Sequence, residues 1–127
     1  IVAIAALKAG AAHVDANEID AFAVESIRVN SEANGVMPTI RLGDLVGTDE
    51  GWDVILAGDI CYDRDMTARV LAWLNVLKAR GADVYLGDPG RAFLPKDGLE
   101  ELAEYRVPTT KAIEDTEVKR TRVFRLI

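Results

Sequence analysis

Four short strand-like runs, each stopped by a turn that carries an acidic residue, constrain this sequence more than any other feature. The run 13–16 stops at Asn17-Glu18-Ile19-Asp20, and 39–42 stops at Gly43-Asp44-Leu45. The run 52–57 stops at Gly58-Asp59-Ile60-Cys61-Tyr62, and 82–86 stops at Gly87-Asp88-Pro89-Gly90-Arg91. Between them lie segments of helical period. Residues 2–9 form a small-residue helix ended by Gly10. Residues 21–33 place Phe22, Val24, Ile27 and Val29 on a helix stopped by Asn34-Gly35. Residues 65–79 carry Met66, Val70, Leu71, Trp73, Leu74 and Leu77 on one broad stripe, ended by Gly81.

Strands that alternate with helices predict an α/β domain built on a doubly wound, mostly parallel sheet with helices on both faces. The run 52–57, apolar apart from Asp53, predicts a strand buried on both faces, and 82–86 reads as another buried strand. Residues 99–104 read as a short helix. Residues 105–108 and 117–126 then read as two strands joined by the short polar stretch 109–116, which predicts an antiparallel C-terminal hairpin at one sheet edge. An open parallel sheet begins with a strand and a glycine-rich turn into its first helix. This sequence begins inside that helix. Residues 1–127 are therefore read as a single domain, N-terminally incomplete, with the first strand and its glycine-rich turn missing.

Composition excludes several function classes. With 127 residues, 50% of them hydrophobic and 28% charged, the chain has the makeup of one folded globular domain. No apolar run reaches the ~20 residues of a membrane helix, and Lys8 interrupts the apolar start without a cleavage pattern. Cys61 is the one cysteine and His13 the one histidine, which leaves no disulfide framework, no cysteine-built zinc site and little for a Ser-His triad. These features predict a cytoplasmic protein that engages no membrane and binds no metal. The formal net charge is -6, and residues 1–64 carry 4 basic against 11 acidic side chains. Such a surface does not hold a phosphate backbone, so no nucleic-acid partner is expected. Lys119, Arg120, Arg122 and Arg125 fall on an alternating strand and read as one exposed strand face.

In doubly wound sheets, ligands bind at the carboxyl ends of the strands. Each acidic residue there also has a plain role as a helix cap or turn former. Four on one sheet edge suggest a shared use. An acidic side chain about 20 residues past a glycine turn can accept from both ribose hydroxyls, and Glu18 fits that position. Asp44, one strand over, could accept from an exocyclic adenine amine, with Ile19 and Leu45 as apolar faces for the base. Cys61 lacks a histidine partner and reads as a small buried residue rather than a nucleophile. His13, Trp52 and Trp73 read as structural. Asp63-Arg64-Asp65 reads as the cap of the long helix.

The run 14–20, Val-Asp-Ala-Asn-Glu-Ile-Asp, followed by 23–35, resembles the seven-stranded, class I S-adenosylmethionine-dependent methyltransferases. Gly43-Asp44-Leu45 resembles that family's third-strand element. Asp59-Ile60-Cys61-Tyr62 resembles the Asp-x-x-Tyr motif of its protein-lysine branch. With Gly87-Asp88-Pro89-Gly90-Arg91, the chain resembles most nearly the lysine methyltransferases of the electron-transfer flavoprotein beta subunit and their bacterial relatives. The family's first glycine motif is absent from these residues.

The resemblance implies a Rossmann-like, seven-stranded sheet and S-adenosyl-L-methionine as cofactor, with S-adenosyl-L-homocysteine as product. It implies methylation of a protein lysine, with an electron-transfer flavoprotein beta subunit as the expected partner. It assigns Glu18, Ile19, Asp44, Leu45 and Gly58 to the cofactor, and Asp59 and Tyr62 to the point where methyl donor and acceptor meet. Arg91 is read as a contact for an acidic protein substrate or for the cofactor carboxylate. Alternatives are a methyltransferase for another protein, such as a ribosomal protein, or for a small-molecule amine, and a non-catalytic nucleotide-binding scaffold. An NAD-binding domain fits less well with the Asp-x-x-Tyr motif and the terminal hairpin.

Overall fold

The computed structural model describes residues 1–108 and 118–127. They fall into two compact units, Ile1–Val46 and Gly47–Ile127.

The first unit holds α1 (Val2–Lys8), β1 (Asp15–Glu18), α2 (Ala21–Ala33) and β2 (Thr39–Leu42). β1 and β2 pair in parallel, from Asp15 opposite Thr39 to Glu18 opposite Leu42. Helix α2 starts where the Asp20 carboxylate accepts the Phe22 N–H at 2.8 Å, a side-chain cap of the kind aspartate supplies. It ends at Asn34-Gly35, with Gly35 in the left-handed region at φ +66°. Only Val24 and Ser31 of this helix are buried; Phe22 and Val29 face outward.

The first strand lies two residues later than the apolar pattern suggests. His13 stays outside the ladder, its Nε2 3.0 Å from Asp15 Oδ1. The pairing instead runs on to the polar Asn17, whose Nδ2 donates to the carbonyls of Arg41 at 2.9 Å and Gly43 at 2.7 Å. A side-chain amide thus ties β1 to the end of β2, a contact that hydrophobic periodicity does not encode.

The second unit holds β3 (Val54–Gly58), α3 (Arg64–Arg80), β4 (Asp83–Asp88), β5 (Leu99–Pro108) and β6 (Val118–Leu126). Its sheet has the order β3-β4-β6-β5. β3 and β4 are parallel; β4–β6 and β6–β5 are antiparallel. Helix α3 begins where the Asp63 carboxylate accepts the Met66 N–H at 2.8 Å. It closes at Gly81, φ +115°, with Gly81 N–H on Lys78 O and Ala82 N–H on Leu77 O. That paired closure is the Schellman arrangement, and its left-handed residue favours glycine.

The core of this unit is Leu74 of α3, Val84 and Leu86 of β4, Phe124 and Leu126 of β6, and Cys61. Val84 and Leu86 alternate inward, as do Phe124 and Leu126, and Leu86 stands opposite Phe124 in the ladder. Trp73 and Trp52 meet edge to face, with ring centroids 6.4 Å apart. Trp73 Nε1 donates to Thr48 O at 2.7 Å.

Three expectations need correction. Residues 99–104 are not a helix; they open β5. Leu-Glu-Glu-Leu-Ala-Glu is a sequence of good helix formers, but pairing with β6 overrides that preference. Glu104 meets Arg120 at 2.6 Å and Glu101 meets Arg122 at 3.5 Å across the two strands. An irregularity between Glu101 and Ala103 interrupts the register. Second, the expected strand 52–57 runs from Val54 to Gly58 and is not buried on both faces, since Val54 and Leu56 are about half exposed. Among the described residues of this unit, β3 stands at the sheet edge and ladders with β4 alone. Third, β4 is fully buried only at alternate residues, Val84, Leu86 and Asp88. The antiparallel hairpin at a sheet edge is present in β5–β6. The polar stretch 109–116 lies outside the described residues.

No described helix is long and apolar enough to cross a membrane. The basic residues of β6 do not share one exposed face: Arg120 and Arg122 alternate in step with the inward Phe124 and Leu126, and Arg125 points to the other side. Carboxylates engage all three arginines: Arg120 with Glu104, Arg122 with Glu101, and Arg125 with Asp83 at 2.7 Å.

Leu86→Ala is expected to lower unfolding stability by roughly 2–5 kcal/mol, because the side chain is fully enclosed by core neighbours on α3 and β6. Urea denaturation measures this. A loss below about 1 kcal/mol would mean that the core collapses freely around the gap.

Candidate active site

At the carboxyl end of the first unit's sheet, two acidic residues occupy neighbouring strand ends. Glu18 closes β1, and its backbone carbonyl accepts the Gly43 N–H at 2.9 Å just beyond β2. Asp44 follows on the next residue. Glu18 Oε1 accepts the N–H groups of Ile19 at 2.7 Å and Asp20 at 3.1 Å, so this carboxylate also shapes its own turn. Asp44 Oδ1 accepts the Val46 N–H at 2.9 Å, an Asx turn that bends the chain after β2. Ile19 is 70% exposed, which leaves an apolar side chain open to a ligand beside these carboxylates. Leu45 is partly buried. The structure therefore brings together the four residues singled out in this half of the sequence.

The carboxyl end of the second unit's parallel pair is more tightly built. Gly58 of β3 stands opposite Gly87 of β4. The next residue, Asp59, has φ +55° and is the one described non-glycine residue in the left-handed region. Its N–H donates to Gly87 O at 2.8 Å. Its carboxylate takes two hydrogen bonds from Arg91, Nε to Oδ1 at 2.6 Å and Nη2 to Oδ2 at 2.7 Å. This side-by-side pairing matches the planar fork of arginine to both oxygens. The Arg91 hydrogen bonds and charge, aided by Lys119, hold the Asp59 carboxyl below the usual carboxylate range against a smaller opposing effect of desolvation. Asp59 is therefore ionised across the physiological range and a weak base. Tyr62, three residues on, is 60% exposed ahead of the α3 cap.

Two neighbours escaped the reading of single residues. Arg91 had several readings as a loop arginine; it is the partner of Asp59. Asp88 is 1% exposed, and its Oδ1 accepts the N–H groups of Gly90 at 2.6 Å and Arg91 at 2.8 Å. The Asp-Pro-Gly-Arg order carried the signal, since aspartate followed by proline and glycine is a turn former. Cys61 is fully buried, and burial together with the Asp88 carboxylate pushes its thiol up to about 11. It is protonated at physiological pH, which agrees with a packing role and not a nucleophilic one. Among the described residues, no cluster of His, Cys, Asp and Glu could hold a metal ion.

Comparison with known proteins places this architecture. The family model described as Ribosomal protein L11 methyltransferase (PrmA) matches residues 1–62. The electron transfer flavoprotein beta subunit lysine methyltransferase of Danio rerio is 34% identical over 130 residues, covering 97% of this chain and 50% of that protein. The ribosomal protein L11 methyltransferase of an Exiguobacterium strain is 45% identical over 126 residues, covering 98% of this chain and 36% of that protein. The chain thus spans about half the length, or less, of these relatives. A crystal structure of magnesium protoporphyrin IX methyltransferase from Synechocystis, with S-adenosylmethionine bound, superimposes with a TM-score of 0.63. It is 19% identical, with 99% of this chain and 64% of that one covered, a likeness that speaks to the fold alone. In sequence and in fold, the chain is similar to the class I, Rossmann-like methyltransferases.

Proposed function

We propose that the whole protein is an S-adenosylmethionine-dependent N-methyltransferase acting on protein lysine side chains, with an electron-transfer flavoprotein beta subunit as acceptor. The observation that carries this reading is the pairing of Asp59, which opens the Asp-x-x-Tyr motif after β3, with Arg91 after β4. The name of the Danio rerio relative supports the acceptor class.

The donor set fits the cofactor chemically. Glu18 supplies a carboxylate for ribose hydroxyls and Asp44 one for an exocyclic amine, while Ile19 and Leu45 offer apolar surface to a base. Gly58 closes its strand without a Cβ and leaves room for a backbone approach. The bound cofactor would supply an electrophilic methyl group on its sulfonium; the protein's task is then positioning.

A lysine must be neutral to attack, and a nearby carboxylate favours the ammonium form. Asp59 is held ionised by Arg91, so its role is to bind and orient the amine, while desolvation of the acceptor channel lowers the lysine pKa. Tyr62 walls that channel with its exposed ring and hydroxyl. An open depression of about 500 Å³ beside Arg91 is lined by Leu94, Leu99, Arg122 and Phe124. Its openness favours a protein segment over an enclosed small amine. A ribosomal protein acceptor is the second reading, favoured by the family model over residues 1–62.

The same proposal includes a single methyltransferase domain with a seven-stranded sheet. It also includes residence in the cytoplasm, supported by a lone cysteine kept as a buried free thiol.

Calorimetric titration of the whole protein with S-adenosylmethionine, S-adenosylhomocysteine and NAD tests the cofactor class. Micromolar binding of the two sulfur nucleosides without NAD is expected; no binding of either would overturn the reading. Glu18→Gln keeps an acceptor for the local turn and is expected to weaken cofactor binding by about 1–3 kcal/mol. Unchanged affinity removes Glu18 from the site. Asp59→Asn is expected to abolish methyl transfer to the lysine while the cofactor still binds. Weaker cofactor binding with undiminished turnover at saturation contradicts the role given to Asp59.

A further inference from the structure

We propose that Asp88 is a positioning residue for Asp59: its buried carboxylate fixes the Gly90-Arg91 turn, and that turn aims the Arg91 guanidinium at Asp59. The importance of this device for methyl transfer rests on the role proposed above for Asp59, but its geometry does not.

Asp88 is the last residue of β4, and Pro89 next to it has no N–H to donate. The two N–H groups that follow, of Gly90 and Arg91, both point at Asp88 Oδ1, at 2.6 and 2.8 Å. Gly90 adopts φ +95°, which lets the chain double back toward the carboxylate. The Arg91 backbone is thereby held against the end of β4, and its side chain reaches Asp59 with two bonds. The same five-residue segment also holds the Asp59 main chain, through Gly87 O. Residues 87–91 therefore grip Asp59 at both its backbone and its carboxylate.

A left-handed backbone costs a non-glycine residue free energy and persists where the surroundings over-determine it. The double grip supplies that determination. Asp88 Oδ2 is itself buried, and the fully buried Cys61 thiol beside it bonds to this carboxylate, part of what keeps the thiol protonated.

The test is an NMR titration of the Asp59 carboxyl in the full chain, with circular dichroism to confirm folding. The two possible roles of Asp88 differ in sign. If Asp88 acts on Asp59 only as a nearby negative charge, its removal makes Asp59 easier to ionise and its titration moves down. If Asp88 aims Arg91, Asp88→Ala loosens the ion pair and the titration moves up, toward the ordinary carboxylate value. The upward shift is expected, matching that of Arg91→Ala, with no further shift in the double variant. Asp88→Asn keeps the acceptor oxygen and is expected to leave the titration low. An unchanged or lowered Asp59 titration in folded Asp88→Ala overturns the proposal.

Should Asp88→Ala not fold, Gly90→Val disturbs the same turn from an exposed position where a Cβ meets open space. An upward shift there supports the device, and no shift overturns it. In a methyl-transfer assay Asp88→Ala is expected to lower kcat on the order of 100-fold with KM for S-adenosylmethionine unchanged. A protein that transfers no methyl group still reports the geometry through the titration, so failure of the functional reading is distinguishable from failure of this one.

Discussion

The parallel pairing of β3 with β4 is the constraint on which the second unit depends. It sets Gly58 level with Gly87, so the two chains leave the sheet at the same height. Neither glycine has a Cβ, and the turn after β3 can bend at once. Asp59 then finds a backbone acceptor in Gly87 and a side-chain partner in Arg91. One register shift would separate all three. The core beneath enforces the register, because Val84 and Leu86 reach Leu74, Phe124 and Leu126 only when β4 presents that face inward.

The sequence was informative where local chemistry decides the outcome. Helix α2 and strand β2 lie at the expected residues because Asp20, Asn34-Gly35 and Gly43 punctuate them locally. Helix α3 is bounded by Asp63 and Gly81 for the same reason. The pattern failed where a distant partner decides. Residues 99–104 have helix-forming side chains, and only the presence of β6 turns them into a strand. The exposure of Val54 and Leu56 depends on which strands flank β3, a property of the whole sheet and not of the run itself.

The acidic strand ends were legible as a group, since each sits directly after an apolar run. Their individual states were not. Glu18 and Asp44 bond backbone N–H groups in their own turns, whereas Asp59 is bound by an arginine 32 residues away. Asp88 looked like one more member of the row, yet it is enclosed while Asp59 is exposed. Four carboxylates of similar sequence context therefore hold different environments, and solvent access separates them.

The left-handed backbone at position 59 also limits which side chains the fold can host there. Glycine accepts that conformation at no cost, and asparagine or aspartate at a modest one; branched or longer residues meet their own carbonyl. Of the residues that fit, aspartate alone brings a negative charge, and its short arm reaches Arg91. A glutamate would carry the same charge into a backbone that disfavours it and would extend past the arginine fork. Main-chain geometry thus acts as a filter on inheritance: drift at this codon toward any other charged residue strains the turn before chemistry is tested.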